Sequence, residues 1–139
     1  MDFPFETIAH SSADTKAVAR AFAEAIKGGG VVALIGPLGA GKTTFVQGLA
    51  QAIGIKERVL SPSFVLHRRH GRLHHIDLYR LEMRQSYTAL GLTDILKDSK
   101  AIVVIEWAEK LASFPPDTIV CRFSILNGDE RRIHIDKAG

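Results

Sequence analysis

A chain of 139 residues with 46% apolar side chains has room for one domain with a real core, and its net charge of +3 is too small to mark a nucleic-acid binder by itself. No apolar run approaches the roughly 20 residues needed to cross a bilayer, and Met1 to Glu6 lack a basic region followed by an apolar one. The single Cys121 excludes an internal disulfide and a cysteine-based zinc site, so the expectation is a cytoplasmic domain over residues 1–139 with no membrane partner.

Phe3 to Ile8 alternates as a first strand. Ser11, Ser12 and Asp14 offer N-cap chemistry for a helix whose Ala17, Val18, Ala21, Phe22, Ala25 and Ile26 recur at three- and four-residue spacing, and Gly28-Gly29-Gly30 ends it. The apolar run Val31 to Leu34 predicts the next strand. Directly after it, Gly36-Pro37-Leu38-Gly39-Ala40-Gly41-Lys42-Thr43 reads as a complete phosphate-binding loop, and Thr44 to Ile53 predicts the helix behind it, with Phe45, Val46, Leu49, Ala50 and Ile53 as buried face and Gly54 as cap. In that setting backbone NH groups turn inward around phosphates. Gly36 and Gly41 allow the turn, Lys42 reaches the β- and γ-phosphates, and the Thr43 hydroxyl ligates magnesium. The loop alone is compatible with ATP or GTP.

Ser61-Pro62-Ser63-Phe64 follows the loop helix, which makes Ser61 and Ser63 candidates for a phosphate-sensing segment, with turn formation as the alternative. Gly71 then suggests a hairpin, with strands near 63 to 69 and 73 to 78. Its stretch from His67 to His75 holds three arginines and four histidines in nine residues. A solvated hairpin face, a protein-partner surface and RNA contact are all compatible with that composition; a metal site from His67, His70, His74 and His75 is the weakest reading. Leu81, Met83, Leu90 and Leu92 support one or two short helices around Gly91. Ala101 to Ile105 is an uninterrupted apolar run, as in a strand covered on both faces of a parallel sheet. Thr118 to Ile125, with Cys121 as core among Ile119, Val120 and Phe123, and Arg131 to Asp136 close the chain as strands joined by a turn at Asn127-Gly128.

Asp77 and Glu106 each end a predicted strand, where open α/β sheets place their ligands. Phosphate-loop chemistry needs an anion near Thr43 to hold magnesium and a group to orient or deprotonate the attacking water. Glu106 fits the second need, with pairing to Lys110 as its plain alternative; Asp77 fits the first, with backbone bonding or pairing to Arg80 as its alternative. Spacing leaves open which acid touches the metal.

Taken together, these blocks resemble the TsaE (YjeE) family of bacterial P-loop ATPases. The similarity rests on GPLGAGKTT at 36–44, SPSF at 61–64, HIDLYRL at 75–81, Gly91-Leu92, and IVVIEWAEK at 102–110, in matching order and separation over nearly the whole chain. Three positions depart from the common pattern, Ser63 in place of Thr, Ala108 in place of Pro after Trp107, and His70 where the family often has an aromatic residue. The resemblance implies a three-layer α/β fold of P-loop NTPase type, with a mixed, mainly parallel sheet and antiparallel additions. It further implies ATP and Mg2+ as cofactors and slow ATP hydrolysis serving N6-threonylcarbamoyladenosine formation in tRNA. TsaD and TsaB would be partners, and tRNA would be met only through that complex. Position by position it assigns Gly36 to Thr44 to the nucleotide, Lys42 to the phosphates, Thr43 and Asp77 to magnesium, and Glu106 to the catalytic or metal-water role. It also makes Ser61 to Phe64 a nucleotide-responsive loop. A small-molecule kinase and a nucleotide-gated binding protein are the rival functions.

Overall fold

The computed structural model describes residues 1–56 and 67–138. Its strands are β1 (Phe5–Ala9), β2 (Gly30–Ile35), β3 (His67–His70), β4 (Leu73–Asp77), β5 (Ile102–Glu106), β6 (Ile119–Ile125) and β7 (Arg131–Lys137); its helices are α1 (Ser12–Ile26), α2 (Lys42–Ala52) and α3 (Thr93–Lys97). All seven strands form one sheet in the order β1-β7-β6-β2-β5-β4-β3. The four central strands β6, β2, β5 and β4 are parallel, and the β3–β4, β6–β7 and β1–β7 pairs are antiparallel. This is the P-loop architecture expected from the sequence. The two innermost parallel strands, β2 and β5, read as nearly continuous apolar runs because both faces of the sheet are covered there.

Local chemistry explains the element ends. Ser11 Oγ accepts the Asp14 N–H at 3.1 Å and caps α1, while the Asp14 carboxylate accepts the His10 N–H at 2.9 Å and holds the chain that enters it. Thr15, Ala19, Phe22, Ala23 and Ile26 then form its buried stripe. On that face of the sheet α1 and α2 pack together over a chain of aromatic rings, Phe22, Phe45 and Phe123, with centroids 5.7 and 5.5 Å apart along the series. The opposite face, with Ala33, Ile76, Val103 and Ile105, is covered by Leu78, Leu92, Ala108 and Leu111. Just after Gly91 comes one short α-helix of five residues, α3, within the expectation of one or two, and most of the remaining cover between β4 and β5 is turns.

Of the readings that the basic stretch allows, a solvated face holds in the β3–β4 hairpin for the arginines and not for three of the histidines. Arg68 and Arg69 are exposed, but His70, His74 and His75 are buried. Alternation places one arginine and one histidine of β3 on each side, Arg68 and His70 on one and His67 and Arg69 on the other, and β4, which carries His74 and His75, is buried on both faces between β3 and β5. Arg72 donates to the carbonyls of Lys27 and Lys100, fastening the hairpin to the end of α1. No group of three or more His, Cys, Asp or Glu side chains among the described residues is arranged to hold a metal. Cys121 is buried in β6, and burial pushes its thiol up, as expected for a core residue.

Two outcomes follow from this packing. A Cβ at Gly48 would lie 2.9 Å from Lys16 Cα and 3.0 Å from Ala19 Cβ, so Gly48→Val forces α1 and α2 apart and lowers unfolding free energy in chemical denaturation by about 2 kcal/mol. The His67 and His74 rings stack at 5.1 Å with Nε2 and Nδ1 2.9 Å apart; burial holds both below the usual 6.5, with Arg69 adding to the shift. The unfolded chain therefore takes protons first, and stability present above pH 6.5 is lost as pH falls through that value toward the lowered folded ones. Melting temperature should drop between about pH 7.5 and 5.5, and by less in the His67→Gln/His74→Gln double variant.

Candidate functional site

The site is assembled at the carboxyl ends of β2, β5 and β4. Register pairs Leu34 with Glu106 and Glu106 with Asp77, so the two acids sit side by side on the first and second strands from the P-loop strand. Alternation then turns both toward the face that carries α2. Gly36 follows β2 and packs so closely on β6 that a Cβ there would lie 2.7 Å from the Phe123 carbonyl oxygen. At Gly41 the chain takes φ +100° and starts α2, with the Phe45 N–H returning to the Gly41 carbonyl at 2.9 Å. A left-handed residue turns the loop into the helix there, which favours glycine.

Three charged side chains are nearly withdrawn from water beside that turn: Lys42, Asp77 and Glu106 are 4%, 8% and 3% exposed. Lys42 Nζ donates to the Gly36 carbonyl at 2.6 Å and lies 3.4 Å above the centre of the Trp107 ring. Burial lowers its ammonium pKa, while Glu106, Glu109 and Asp77 oppose the shift. Burial raises the Asp77 carboxyl, against the Tyr79 N–H that donates to its Oδ1 at 2.8 Å, and Glu106 adds to the rise. Thr43 Oγ1 lies 3.2 and 3.3 Å from the two oxygens of Glu106. His75 Nε2 meets Glu106 Oε2 from the buried side at 2.5 Å.

The predicted site residues from Gly36 to Thr44, Asp77 and Glu106 are thus brought together, whereas Ser61 and Ser63 lie outside the described residues. The alternative of a Glu106–Lys110 pair is not formed. Lys110 instead donates to the carbonyls of Tyr79 and Leu81, tying the chain after β4 to the turn after β5. Ala108 enters a tight 3-10 turn, Ala108–Lys110, directly after Trp107, whose φ of +57° makes the bend. The stack of Lys42 on Trp107 and the His75–Glu106 contact went unread in the sequence. For His75 a signal existed, since it stands two residues before Asp77 and alternation puts both on one face; nothing in the spacing announces the stack.

Two recesses flank the loop. One, of about 330 Å³, is lined by Lys42, Thr43, Asp77, Tyr79, Glu106 and Trp107; the other, of about 220 Å³, by Ser11, Ser12, Thr15, Asp129 and Arg131. Gly39, Gly41 and Thr44 border both. A hydroxyl and two carboxylates are hard oxygen donors that suit a magnesium ion held partly by waters and phosphate oxygens, and with only two carboxylates no dedicated protein cage is needed. The arrangement can hold a phosphate chain over backbone amides, neutralise it with Lys42 and a cation, and present a carboxylate to a water.

A family profile described as TsaE, Threonylcarbamoyl adenosine biosynthesis protein TsaE, matches residues 9–134. The tRNA threonylcarbamoyladenosine biosynthesis protein TsaE of Treponema pallidum is 36% identical over 92% of this chain and 97% of its own length. The protein of the same name from Aquifex aeolicus is 36% identical over 97% and 98%. Among solved structures, Bacillus subtilis YdiB superposes with a TM-score of 0.79 at 29% identity, covering all of this chain and 88% of that one.

A phosphate chain seated in the loop must draw the Lys42 ammonium off its ring, and the chain has one tryptophan to report it. Titration with ATP or pyrophosphate should therefore change tryptophan emission saturably, and Lys42→Ala should remove most of that change. Flat emission while equilibrium dialysis shows binding would mean that Lys42 stays on Trp107.

Proposed function

Because this chain belongs to the TsaE family, which serves tRNA threonylcarbamoyladenosine biosynthesis, we propose that it is a magnesium-dependent ATPase and an accessory subunit of that modification beside TsaD and TsaB. The observation that carries the reading is the meeting of Thr43 with Glu106 at 3.2 Å, with Asp77 in the adjoining register and Lys42 in the same cleft. A P-loop that only held a nucleotide would not need a buried carboxylate aimed at its helix start. The second recess, sharing Gly39, Gly41 and Thr44 with the first, supplies room for the ribose and base.

In this reading Lys42 leaves Trp107 and the Gly36 carbonyl for the β- and γ-phosphate oxygens, where the loop amides also donate. Thr43 and Asp77 would hold magnesium, which when bound neutralises the phosphate oxygens and stabilises charge on the transferring group. Glu106 accepts a hydrogen bond from the water and lines it up opposite the leaving ADP oxygen. The water oxygen bonds to the γ-phosphorus as the bond to the ADP oxygen breaks, and the proton the water gives up passes through Glu106 to solvent, giving ADP and inorganic phosphate. Leu38 and Tyr79, exposed at the rim of the cleft, support a site that a protein partner covers.

Glu106→Ala should keep ATP affinity within a few-fold and lower turnover by roughly a hundredfold or more, whereas Lys42→Ala should weaken both. Turnover of the unaltered chain should rise when TsaD and TsaB are added together. Undiminished hydrolysis in Glu106→Ala would sink the assigned role. Partner affinity that differs between ATP and ADP while hydrolysis stays absent would favour a nucleotide-gated binding protein instead.

A further inference from the structure

One buried side chain beside the site has no task in the hydrolysis described above. His75 is fully buried in β4, its Nε2 lies 2.5 Å from Glu106 Oε2, and its Nδ1 has no hydrogen-bond partner among the described residues. A buried polar atom without a partner is a cost that an apolar residue of similar volume would avoid, so the imidazole calls for a reason. The bond has a defined direction. A carboxylate oxygen only accepts, which puts the proton on Nε2, and a proton on Nδ1 would be a buried N–H with nothing to receive it.

The sheet register explains how the contact arises. His75 is paired with Val104 and Asp77 with Glu106, so His75 is the diagonal neighbour of Glu106 on the face they share. The two contacts of Glu106 do different things. Thr43 Oγ1 is almost equidistant from the two carboxylate oxygens, at 3.2 and 3.3 Å, and so does not distinguish them; His75 engages Oε2 alone. If the Thr43 hydroxyl turns to a cation, its restraint on Glu106 is lost as well, and the His75 bond is the restraint that stays.

We propose that His75 is a positioning residue for Glu106: its Nε2–H occupies Oε2, fixes the plane of the carboxylate and leaves Oε1 as the oxygen that meets the water. The mechanistic half of this inference rests on the ATPase reading; the hydrogen bond itself does not. Partners that orient a working carboxylate or metal ligand from behind commonly change activity by ten- to a hundredfold when removed.

Two measurements test it. In the nucleotide-free protein, long-range proton–nitrogen NMR should find His75 protonated at Nε2 and bare at Nδ1, with the Nε2–H resonance moving in Glu106→Ala; an Nδ1–H tautomer overturns the proposal. In steady-state ATP hydrolysis, His75→Leu should lose about tenfold or more in kcat with KM within about twofold. His75→Gln, whose amide N–H extends to a similar reach, should recover kcat to within about threefold of the unaltered chain. A His75→Leu variant with unaltered kcat, a loss confined to KM, or a folded His75→Gln as slow as His75→Leu would each overturn it. If His75→Leu does not fold, the tautomer and the His75→Gln rate still decide. A wild-type chain that hydrolyses no ATP, alone or with TsaD and TsaB, overturns the ATPase reading and leaves the tautomer result standing on its own.

Discussion

The burial of one ammonium and two carboxylates in a single cleft is the constraint on which the rest of this structure depends. Removing charges from water costs several kcal/mol each unless other charges or dipoles compensate. Here burial drives Lys42 and Asp77 toward their neutral forms, and the opposing influence on Lys42 comes from Glu106, Glu109 and Asp77. The remaining compensation is specific. Lys42 has the Gly36 carbonyl and the Trp107 ring, Asp77 the Tyr79 amide, and Glu106 the Thr43 hydroxyl and His75. In the proposed function, a phosphate chain with its cation would replace several of these contacts by stronger ones, so that a ligand would satisfy these charges better than the protein alone does.

That arrangement links the two strand exits. Lys110 bridges from the turn after β5 to the carbonyls after β4, and Tyr79 packs against Trp107 with ring centroids 5.1 Å apart. Trp107 in turn lies beneath Lys42. A displacement of Lys42 toward phosphate therefore acts on a ring that is already in contact with the exposed rim at Tyr79. Under the proposed function, this is a short physical path from phosphate occupancy to the exposed rim. It consists of packed and hydrogen-bonded groups rather than of distance alone.

Much of the fold was legible because periodicity and glycine placement are local. The three-residue glycine stop after α1, the apolar β-branched run of β2 and the Asn127-Gly128 turn each follow from backbone preferences a few residues long. The hairpin was legible as a hairpin but its environment was not. His67 to His75 has the composition of a wet surface, yet three of its histidines are buried, two of them on β4 between β3 and β5. Composition counts side chains without regard to which face each will take. The short helix after Gly91 was blurred for a related reason, since a cover of turns has no period to detect.

From the sequence alone came the phosphate loop, its flanking strand and helix, and the two acids at strand ends, because each is encoded by residue type at short range. The tertiary structure decided which groups touch. Asp77 and Glu106 are 29 residues apart in the chain and become neighbours only because β4 and β5 pair in parallel at one register. A shift of one residue would turn one set of side chains to the opposite face. The same register sets His75 on Glu106, and the left-handed bend at Trp107 sets an indole beneath Lys42. Those contacts depend on long-range pairing and on the path of turns, which no local pattern in the sequence carries.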